Sequence, residues 1–297
     1  MSNQRPHTRV NTTPLLSVLM PAYREEHVIL ALVEDLLHQA DFAERKNPEH
    51  RLEIVIASDD LMDYSALLPS DQRLVFCEPK LQTGPANART RALDKASGRF
   101  VLAIDADDSV SSMFIPQVFT ATQTRSAFAV RANYIKNGEV VRRLEVDTLT
   151  QENFIAYSGS VPVVFPRNWL SAYPNVVAED AVSVVNTLHK AGGSLDVIDA
   201  EYNITTHIES FCARIGSQFA SLYAHHRDNV KEIARVAGNP QIEGLLAELF
   251  DGRIEVNAAF EKSMRQELGL DYHEFIVSRN LKKVRLVPEI SRLQSSL

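Results

Sequence analysis

Three carboxylate side chains lie within four residues, directly after an apolar run at residues 100–104; they are Asp105, Asp107 and Asp108. Side chains alternate along an extended chain, so Asp105 and Asp107 are expected to point to the same side. Carboxylate oxygens are the ligands that hard cations such as Mg²⁺ and Mn²⁺ prefer. The spacing therefore predicts a divalent-cation site, whose natural partner is a diphosphate. A solvated acidic turn is the alternative that these residues leave open.

Polar clusters also follow two other apolar runs. Residues 21–25 (Pro-Ala-Tyr-Arg-Glu) interrupt the run at 15–20, and Ser58-Asp59-Asp60 ends the run at 51–57. The carboxylates of Asp59 and Asp60 either accept hydrogen bonds from a base ring N–H or from ribose hydroxyls, or they cap a helix or form an Asx turn. Tyr23 either stacks on a base or covers the edge of the sheet.

Later positions suit anion binding and proton transfer. Gly84 and Arg89, at the start of a predicted helix, favour a phosphate or a carboxylate, with a surface ion pair as the alternative for Arg89. Glu179 and Asp180 open another predicted helix. Either they stand there because the helix dipole favours acids in the first turn, or one of them is a general base that faces an acceptor hydroxyl. His207 follows a predicted strand and is either a ligand or a structural histidine.

The order of the predicted elements determines where these side chains meet. Strands at 15–20, 51–57, 74–77 and 100–104 alternate with helices at 25–42 and 84–97, which predicts a parallel sheet with helices on both faces. Ligands of such sheets bind beyond the carboxyl ends of the strands, so the polar clusters are expected to converge. The second half predicts a hairpin around Asn137-Gly138, strands at 161–165 and 194–204, and a helix at 179–191. Helices broken near Gly238 and Gly269 are expected from residue 210 onward.

Composition excludes several classes of protein. The 297 residues carry a net charge of −7, which argues against a general nucleic-acid binder, and two cysteines exclude a disulfide scaffold or a cysteine-rich zinc module. The sequence contains no GxGxxG, P-loop, GxSxG or HExxH motif. Apolar runs are too short for a membrane span, and the N-terminus lacks the apolar core of a secretory signal. We therefore expect a soluble, cytoplasmic protein.

An ordered set of segments, LSVLMPAYREE, IVIASDD, GPANARTRALDKASGRFVLAIDADD and AED, resembles the family 2 glycosyltransferases, which have the GT-A fold. The resemblance is close over residues 15–110 and loose over 160–210. It implies an α/β fold, with a Rossmann-like mixed sheet flanked by helices and a helical C-terminal extension. We expect a flexible N-terminal arm at 1–14, a GT-A domain at 15–209 and the helical extension at 210–297. Within the domain, 15–110 would be the nucleotide-sugar-binding half and 111–209 the acceptor-side half.

The resemblance also implies roles for individual residues. The nucleobase pocket would be lined by Pro21, Ala22, Tyr23 and Glu25. Asp59 would contact the base with Asp60 beside it, and Ser58 stands where the family usually has a first acid. Asp105 would touch the ribose and the metal, and Asp107 the metal. Gly84 and Arg89 would belong to the binding site of the donor. Asp180 would be the base of the Glu179-Asp180 pair, and His207 a late metal or phosphate contact.

The activity implied is a metal-dependent, inverting, non-processive transfer of one sugar. The donor would be a nucleotide sugar, with UDP favoured, the metal Mn²⁺ or Mg²⁺, and the acceptor a hydroxyl of a glycan, a lipid-linked molecule or another compound, as in the synthesis of surface polysaccharides or glycoconjugates. The family's processive members carry a QxxRW element and flanking membrane helices, and the sequence has neither.

Two other functions stay open. A sugar-1-phosphate nucleotidyltransferase needs a glycine-rich loop after the first strand, where this sequence has Pro21-Ala22-Tyr23. A non-catalytic module that binds nucleotide sugars would not need the acid pair at 179–180. Five basic residues lie near the C-terminus. They either bind a partner or the inner face of a membrane, or they form a solvated helix face; they are Arg279, Lys282, Lys283, Arg285 and Arg292.

Overall fold

The structure is a computed structural model that describes residues 15–206, 219–264 and 271–279. The first half contains β1 (Leu16–Ala22), α1 (Ile29–Lys46), β2 (Leu52–Ser58), β3 (Leu74–Phe76), α2 (Pro85–Lys95), β4 (Phe100–Ala103), β5 (Ser109–Val110) and α3 (Phe114–Thr122). Next come β6 (Phe128–Lys136), β7 (Glu139–Arg143), β8 (Thr148–Thr150), α4 (Gln151–Tyr157), β9 (Val163–Pro166), α5 (Glu179–Lys190) and β10 (Ser194–Thr205). The remaining helices are α6 (Phe219–Arg227), α7 (Val230–Val236), α8 (Glu243–Met264) and α9 (Tyr272–Arg279).

The strands form one mixed sheet in the order β3-β2-β1-β4-β9-β6-β10-β5. The first four run parallel, as their apolar runs predict. The short strand β9 is antiparallel to both neighbours, β4 and β6, while β10 runs parallel to β6. The hairpin predicted around Asn137-Gly138 is present as β6 and β7. The prediction of an α/β fold with a mixed sheet is therefore confirmed.

Strand β1 continues through Pro21 instead of being interrupted by it. Pro21 lies opposite Ala57 of β2, whereas the pairing with β4 ends at Leu19. The carbonyl of Leu19 accepts a hydrogen bond from the strand on the β4 side, and the carbonyl of Ala22 accepts one on the β2 side. The missing N–H of Pro21 thus faces the side where β4 has already ended, and proline is tolerated where a strand becomes an edge.

Helices cover both faces of the sheet. On one face α1 and α3 pack through residues such as Leu36, Phe114 and Phe119. On the other face α2, α4 and α5 share an apolar core with the C-terminal helices, to which α8 contributes Leu246 and Phe250. Helix α1 begins four residues later than its periodicity predicts, because residues 24–28 form a turn in which Arg24 has a φ of 62°. None of the described helices is long and apolar enough to cross a bilayer.

Candidate active site

The turns that follow β1, β2 and β4 lie side by side, because these parallel strands are neighbours in the sheet. Hydrogen bonds join the first two turns: the backbone N–H groups of Arg24 and Glu25 donate to Asp60 Oδ2 and to the Tyr64 hydroxyl. Asp105 and Asp107, after β4, interact electrostatically with Glu25. The structure thus brings together the polar clusters that the sequence analysis selected.

Tyr23 lies at the outer edge of this region and is partly exposed. Its hydroxyl accepts a hydrogen bond of 3.0 Å from Gln82 Nε2, and the Arg24 guanidinium lies 5.1 Å from its ring centroid. Pro21 and Ala22 end β1 beside it. Sequence reasoning did not select Gln82, which no motif marks.

Asp59 fastens the loop that precedes α2. Its buried carboxylate accepts hydrogen bonds from Thr83 N (3.0 Å), from the Thr83 hydroxyl and from Gly84 N (2.8 Å). Gly84 has a φ of 87°, a conformation that favours glycine. The N-terminus of α2 is therefore bound to a carboxylate of the chain itself, and Asp59 and Gly84 hold each other in place.

Asp60 ties the first two turns together. Besides the bonds from residues 24 and 64, it accepts hydrogen bonds of 3.0 Å from Ser58 Oγ and Met62 N. Burial alone would raise the pKa of Asp60, but these hydrogen bonds hold that pKa below its usual range. Asp60 therefore fixes the turn after β1 against the turn after β2.

The carboxylates of residues 105–108 have different environments. Asp108 is buried and accepts hydrogen bonds from the Tyr202 hydroxyl and from Thr205 N. Burial, together with the negative charges of Asp105 and Asp107, raises the pKa of Asp108 well above its usual value. Asp105 and Asp107 stay partly exposed. The Tyr202 hydroxyl also accepts a hydrogen bond of 3.0 Å from Asp105 N, so this tyrosine, which sequence reasoning missed, fixes the turn.

Arg89 connects the two halves of the site. Its guanidinium donates through Nη1 to Glu179 Oε1 and through Nη2 to Asp105 Oδ1, and its side chain is only 8% exposed. Burial would lower the pKa of Arg89, yet Asp105 and Glu179 hold it well above its usual value. The sequence left a phosphate contact, a carboxylate contact or a surface ion pair open for Arg89. The structure shows a buried bridge between two carboxylates.

The adjacent acids Glu179 and Asp180 differ in accessibility. Glu179 is buried, and burial raises its pKa to about 7 although Arg89 opposes the shift. Asp180 is partly exposed and accepts a hydrogen bond from the Ser160 hydroxyl. Ala178, the residue before the pair, has a φ of 58°, which turns the chain sharply into α5. Asp180 is therefore the acid of this pair that a substrate can reach.

The donor set beside β4 suits a hard cation that also binds phosphate oxygens. Burial, followed by the negative charges of Asp107 and Asp105, raises the pKa of Glu25 to about 7. Within residues 15–206, 219–264 and 271–279, no three His, Cys, Asp or Glu residues are placed to hold a metal by themselves. Mg²⁺ commonly needs only one or two carboxylates when a substrate phosphate completes its shell. His207, the third predicted ligand, lies outside the described residues.

Comparison with known proteins decides the family. The model of "Glycosyl transferase family 2" matches residues 17–170, which is more than half of the chain. The chain belongs to glycosyl transferase family 2. This finding confirms the family expected from the ordered segments of the sequence.

Two curated relatives of this family 2 chain are glycosyltransferases by name. The Escherichia coli UDP-Glc:alpha-D-GlcNAc-diphosphoundecaprenol beta-1,3-glucosyltransferase WfgD is 29% identical over 177 residues, which are 56% of this chain and 66% of the relative. Glycosyltransferase GlyG of Streptococcus pneumoniae is 25% identical over 130 residues, which are 42% of this chain and 40% of GlyG. The chain thus spans less than two thirds of the length of either relative.

Among solved structures, the family 2 chain resembles S. aureus TarS. The crystal structure of TarS 1-349 in complex with UDP-GlcNAc matches with a TM-score of 0.60 and 18% identity, covering 89% of this chain and 78% of TarS 1-349. A second crystal structure of TarS 1-349 matches with a TM-score of 0.56 and 19% identity. This likeness shows the fold and agrees with the predicted GT-A architecture and helical C-terminal part.

Proposed function

We propose that this chain transfers one sugar from a UDP-sugar donor to a hydroxyl acceptor, with inversion at the anomeric carbon. The observation that carries the proposal is the bridge from Asp105 through Arg89 to Glu179, because it fixes the end of β4 against the start of α5. A donor site and an accessible carboxylate, Asp180, are thereby held within one site. Family membership gives this arrangement its chemistry.

The choice of donor and acceptor follows from the relatives. WfgD is named for UDP-Glc and for a diphosphoundecaprenol acceptor, and TarS was crystallised with UDP-GlcNAc. We therefore propose a UDP-linked hexose as the donor, bound beyond β1 and β2 near Tyr23 and Asp59. Among glycan, lipid-linked and other hydroxyls, we propose a lipid-linked hydroxyl as the acceptor.

A divalent cation, Mn²⁺ or Mg²⁺, would be held by Asp107 and Asp105 together with the donor diphosphate. When bound, it would neutralise charge on the leaving diphosphate as a Lewis acid. The ion pair with Arg89 holds the carboxylate of Asp105 in its orientation. Asp105 and Asp107 also repel an ionised Glu25, and a cation held by them would reduce that repulsion.

Asp180 is the proposed general base. It would take the proton of the acceptor hydroxyl as the hydroxyl attacks, a contribution of roughly 10²–10⁴-fold in rate. The acceptor oxygen would bond to the anomeric carbon on the face opposite the diphosphate, as the bond from that carbon to the diphosphate oxygen breaks and UDP leaves, so the configuration inverts. Glu179, buried against Arg89, orients the start of α5 and does not face the acceptor. Peripheral attachment to the inner face of a membrane stays a prediction, since of the basic C-terminal residues only Arg279 is described, and it pairs with Glu255.

The proposal is tested by measuring donor binding with and without metal. Thermal shift and calorimetry should detect binding of UDP, UDP-glucose or UDP-GlcNAc that requires Mn²⁺ or Mg²⁺. Asp107→Ala should remove the metal-dependent part, whereas Asp94→Ala, an exposed aspartate on α2, should bind as the wild type does. Binding that is unchanged in Asp107→Ala would refute the metal site. Release of pyrophosphate from a nucleoside triphosphate and a sugar phosphate would replace glycosyl transfer by nucleotidyl transfer.

A further inference from the structure

Residues 157–160, which run from the last residue of α4 toward β9, lie directly beside Asp180. Ser160 Oγ donates a hydrogen bond to Asp180 Oδ2. In the part of the chain that the structure describes, Oδ1 of Asp180 accepts no hydrogen bond. The serine hydroxyl thus fixes one carboxylate oxygen and leaves the other available for a substrate proton.

The segment is held from the sheet side by β6 and β7. The Tyr134 hydroxyl accepts a hydrogen bond of 2.7 Å from Ser160 N. The Arg142 guanidinium lies 4.1 Å from the ring centroid of Tyr134, and its Nη1 donates to the Tyr157 carbonyl at 3.3 Å. A Cβ at Gly159 would collide with Arg142 Nη2 and lie 2.8 Å from the Tyr134 hydroxyl, so any larger residue must displace these buried side chains.

The C-terminal helices hold the same segment from the other side. Arg253 of α8 donates from Nη1 to Ser158 Oγ at 2.6 Å and from Nη2 to the Gly159 carbonyl at 3.2 Å. The Tyr272 hydroxyl of α9 lies 3.1 Å from Ser158 Oγ, within hydrogen-bond distance. Ser158 has a φ of 51°, an uncommon conformation for a residue other than glycine.

Arg253 and Arg142 are buried, with 4% and 1% of their surface exposed. A buried cation is costly unless it is paired or hydrogen-bonded. Among the described residues neither arginine has a carboxylate within ion-pair distance, and both use their N–H groups on residues 157–159. The N–H groups of these two buried arginines therefore hold residues 157–159 in place.

We propose that Ser160 is a positioning residue for Asp180. Helices α8 and α9 set the position of Ser160 through the contacts of Arg253 and Tyr272 with the residues that precede it. This inference rests on the proposed function, in which Asp180 is the base. A misplacement of about 1 Å in a catalytic group can cost on the order of 10²-fold in rate. The C-terminal helices are thereby part of the machinery on the acceptor side.

The test measures hydrolysis of the UDP-sugar that the wild type turns over fastest, with water accepting the sugar, together with UDP affinity and urea unfolding. Ser160→Ala should lower kcat about ten- to one-hundred-fold, within the effect expected for losing a hydrogen bond to a charged group. UDP affinity should stay within about twofold, because Ser160 touches Asp180 and not the donor turns. Ser160→Thr, which keeps the hydroxyl, should recover most of kcat. Ser263→Ala, which removes a hydroxyl hydrogen bond within α8, should behave as the wild type.

A double-mutant cycle tests whether Ser160 and Arg253 both act through Asp180. In an Asp180→Asn background, Ser160→Ala and Arg253→Met should cause no further loss of kcat if both act through Asp180. Arg253→Met alone should lower kcat with little change in UDP affinity. A wild type that consumes no UDP-sugar, or an Asp180→Asn variant with full turnover, overturns the proposed function and this inference with it. An inactive Asp180→Asn variant beside a fully active Ser160→Ala variant overturns the inference alone.

Discussion

Replacing Arg89 by methionine should destabilise the fold strongly. The side chains of Arg89 and Glu179 are 8% and 7% exposed, whereas that of Asp105 is 42% exposed. Removing one member of a buried ion pair costs about 3–5 kcal/mol because the other charge stays buried. An exposed pair contributes about 0–1 kcal/mol, so the loss at Asp105 adds little. The expected decrease in the free energy of unfolding is therefore about 3–5 kcal/mol near pH 8.

The loss should depend on pH in a defined direction. The ordinary pKa of a glutamate is 4.5, and burial raises the pKa of Glu179 to about 7 against the opposing effect of Arg89. Without Arg89 that pKa rises further, so the folded variant retains a proton that the unfolded chain has already released. A raised folded-state pKa stabilises below the unfolded value and loses that contribution as the pH rises. The deficit of Arg89→Met should be small near pH 5 and largest above pH 8.

Urea unfolding, followed by circular dichroism and by the single tryptophan, Trp169, measures these quantities. Arg125→Met is the matched control, since its pair with Asp196 is exposed and should contribute at most about 1 kcal/mol. In the Glu179→Gln background, Arg89→Met should cost less by about 1–3 kcal/mol, which is the coupling expected for residues in contact. An unfolding midpoint equal to that of the wild type at pH 8, or the same loss in both backgrounds, would refute the buried bridge.

Three further substitutions test other parts of the site. Glu25→Gln should raise the free energy of unfolding by on the order of 1 kcal/mol at pH 8 and not at pH 5. Glu25 has a pKa of about 7, so it is ionised beside Asp107 only at the higher pH, and solvent screens the repulsion. Equal effects at both pH values in thermal unfolding would contradict this prediction. Asp59→Asn should lose about 1–3 kcal/mol of stability and weaken UDP binding, since an amide cannot accept every bond from Thr83 and Gly84; calorimetry that finds normal UDP affinity speaks against it. Gly159→Ala should cost about 1–3 kcal/mol by overpacking against Arg142, whereas Gly244→Ala, whose Cβ would meet nothing, should be nearly neutral in urea unfolding.

The parallel strands could be predicted because each is a short apolar run with a polar turn after it. Helix α3 could not. Its buried face consists of Phe114, Ile115, Val118 and Phe119, and its exposed face is limited to Gln117 and Thr120. Nine residues give too few turns for a clear helical period, and Pro116 in the first turn obscures the start of the helix. The start of α1 was displaced for a local reason, the turn that residues 24–28 form.

The candidate site divides in the same way. Asp105, Asp107 and the 179–180 pair could be selected because acids directly follow an apolar run or open a helix. The partner of Arg89 could not be predicted, since Glu179 lies 90 residues further along the chain. Tyr202 is 97 residues from Asp105, and no local pattern marks it. Contacts of this kind arise from the order of strands in the sheet, which the linear pattern leaves undetermined.

The most direct measurement of the central claim compares Asp180→Asn with the wild type in two assays on the same samples. The first records hydrolysis of UDP-glucose or UDP-GlcNAc with water as the acceptor, and the second records the Kd of UDP with Mn²⁺ by calorimetry. A general base contributes roughly 10²–10⁴-fold, so turnover should fall by that factor while the Kd stays unchanged. Full turnover in Asp180→Asn, or loss of UDP binding together with turnover, would contradict the account.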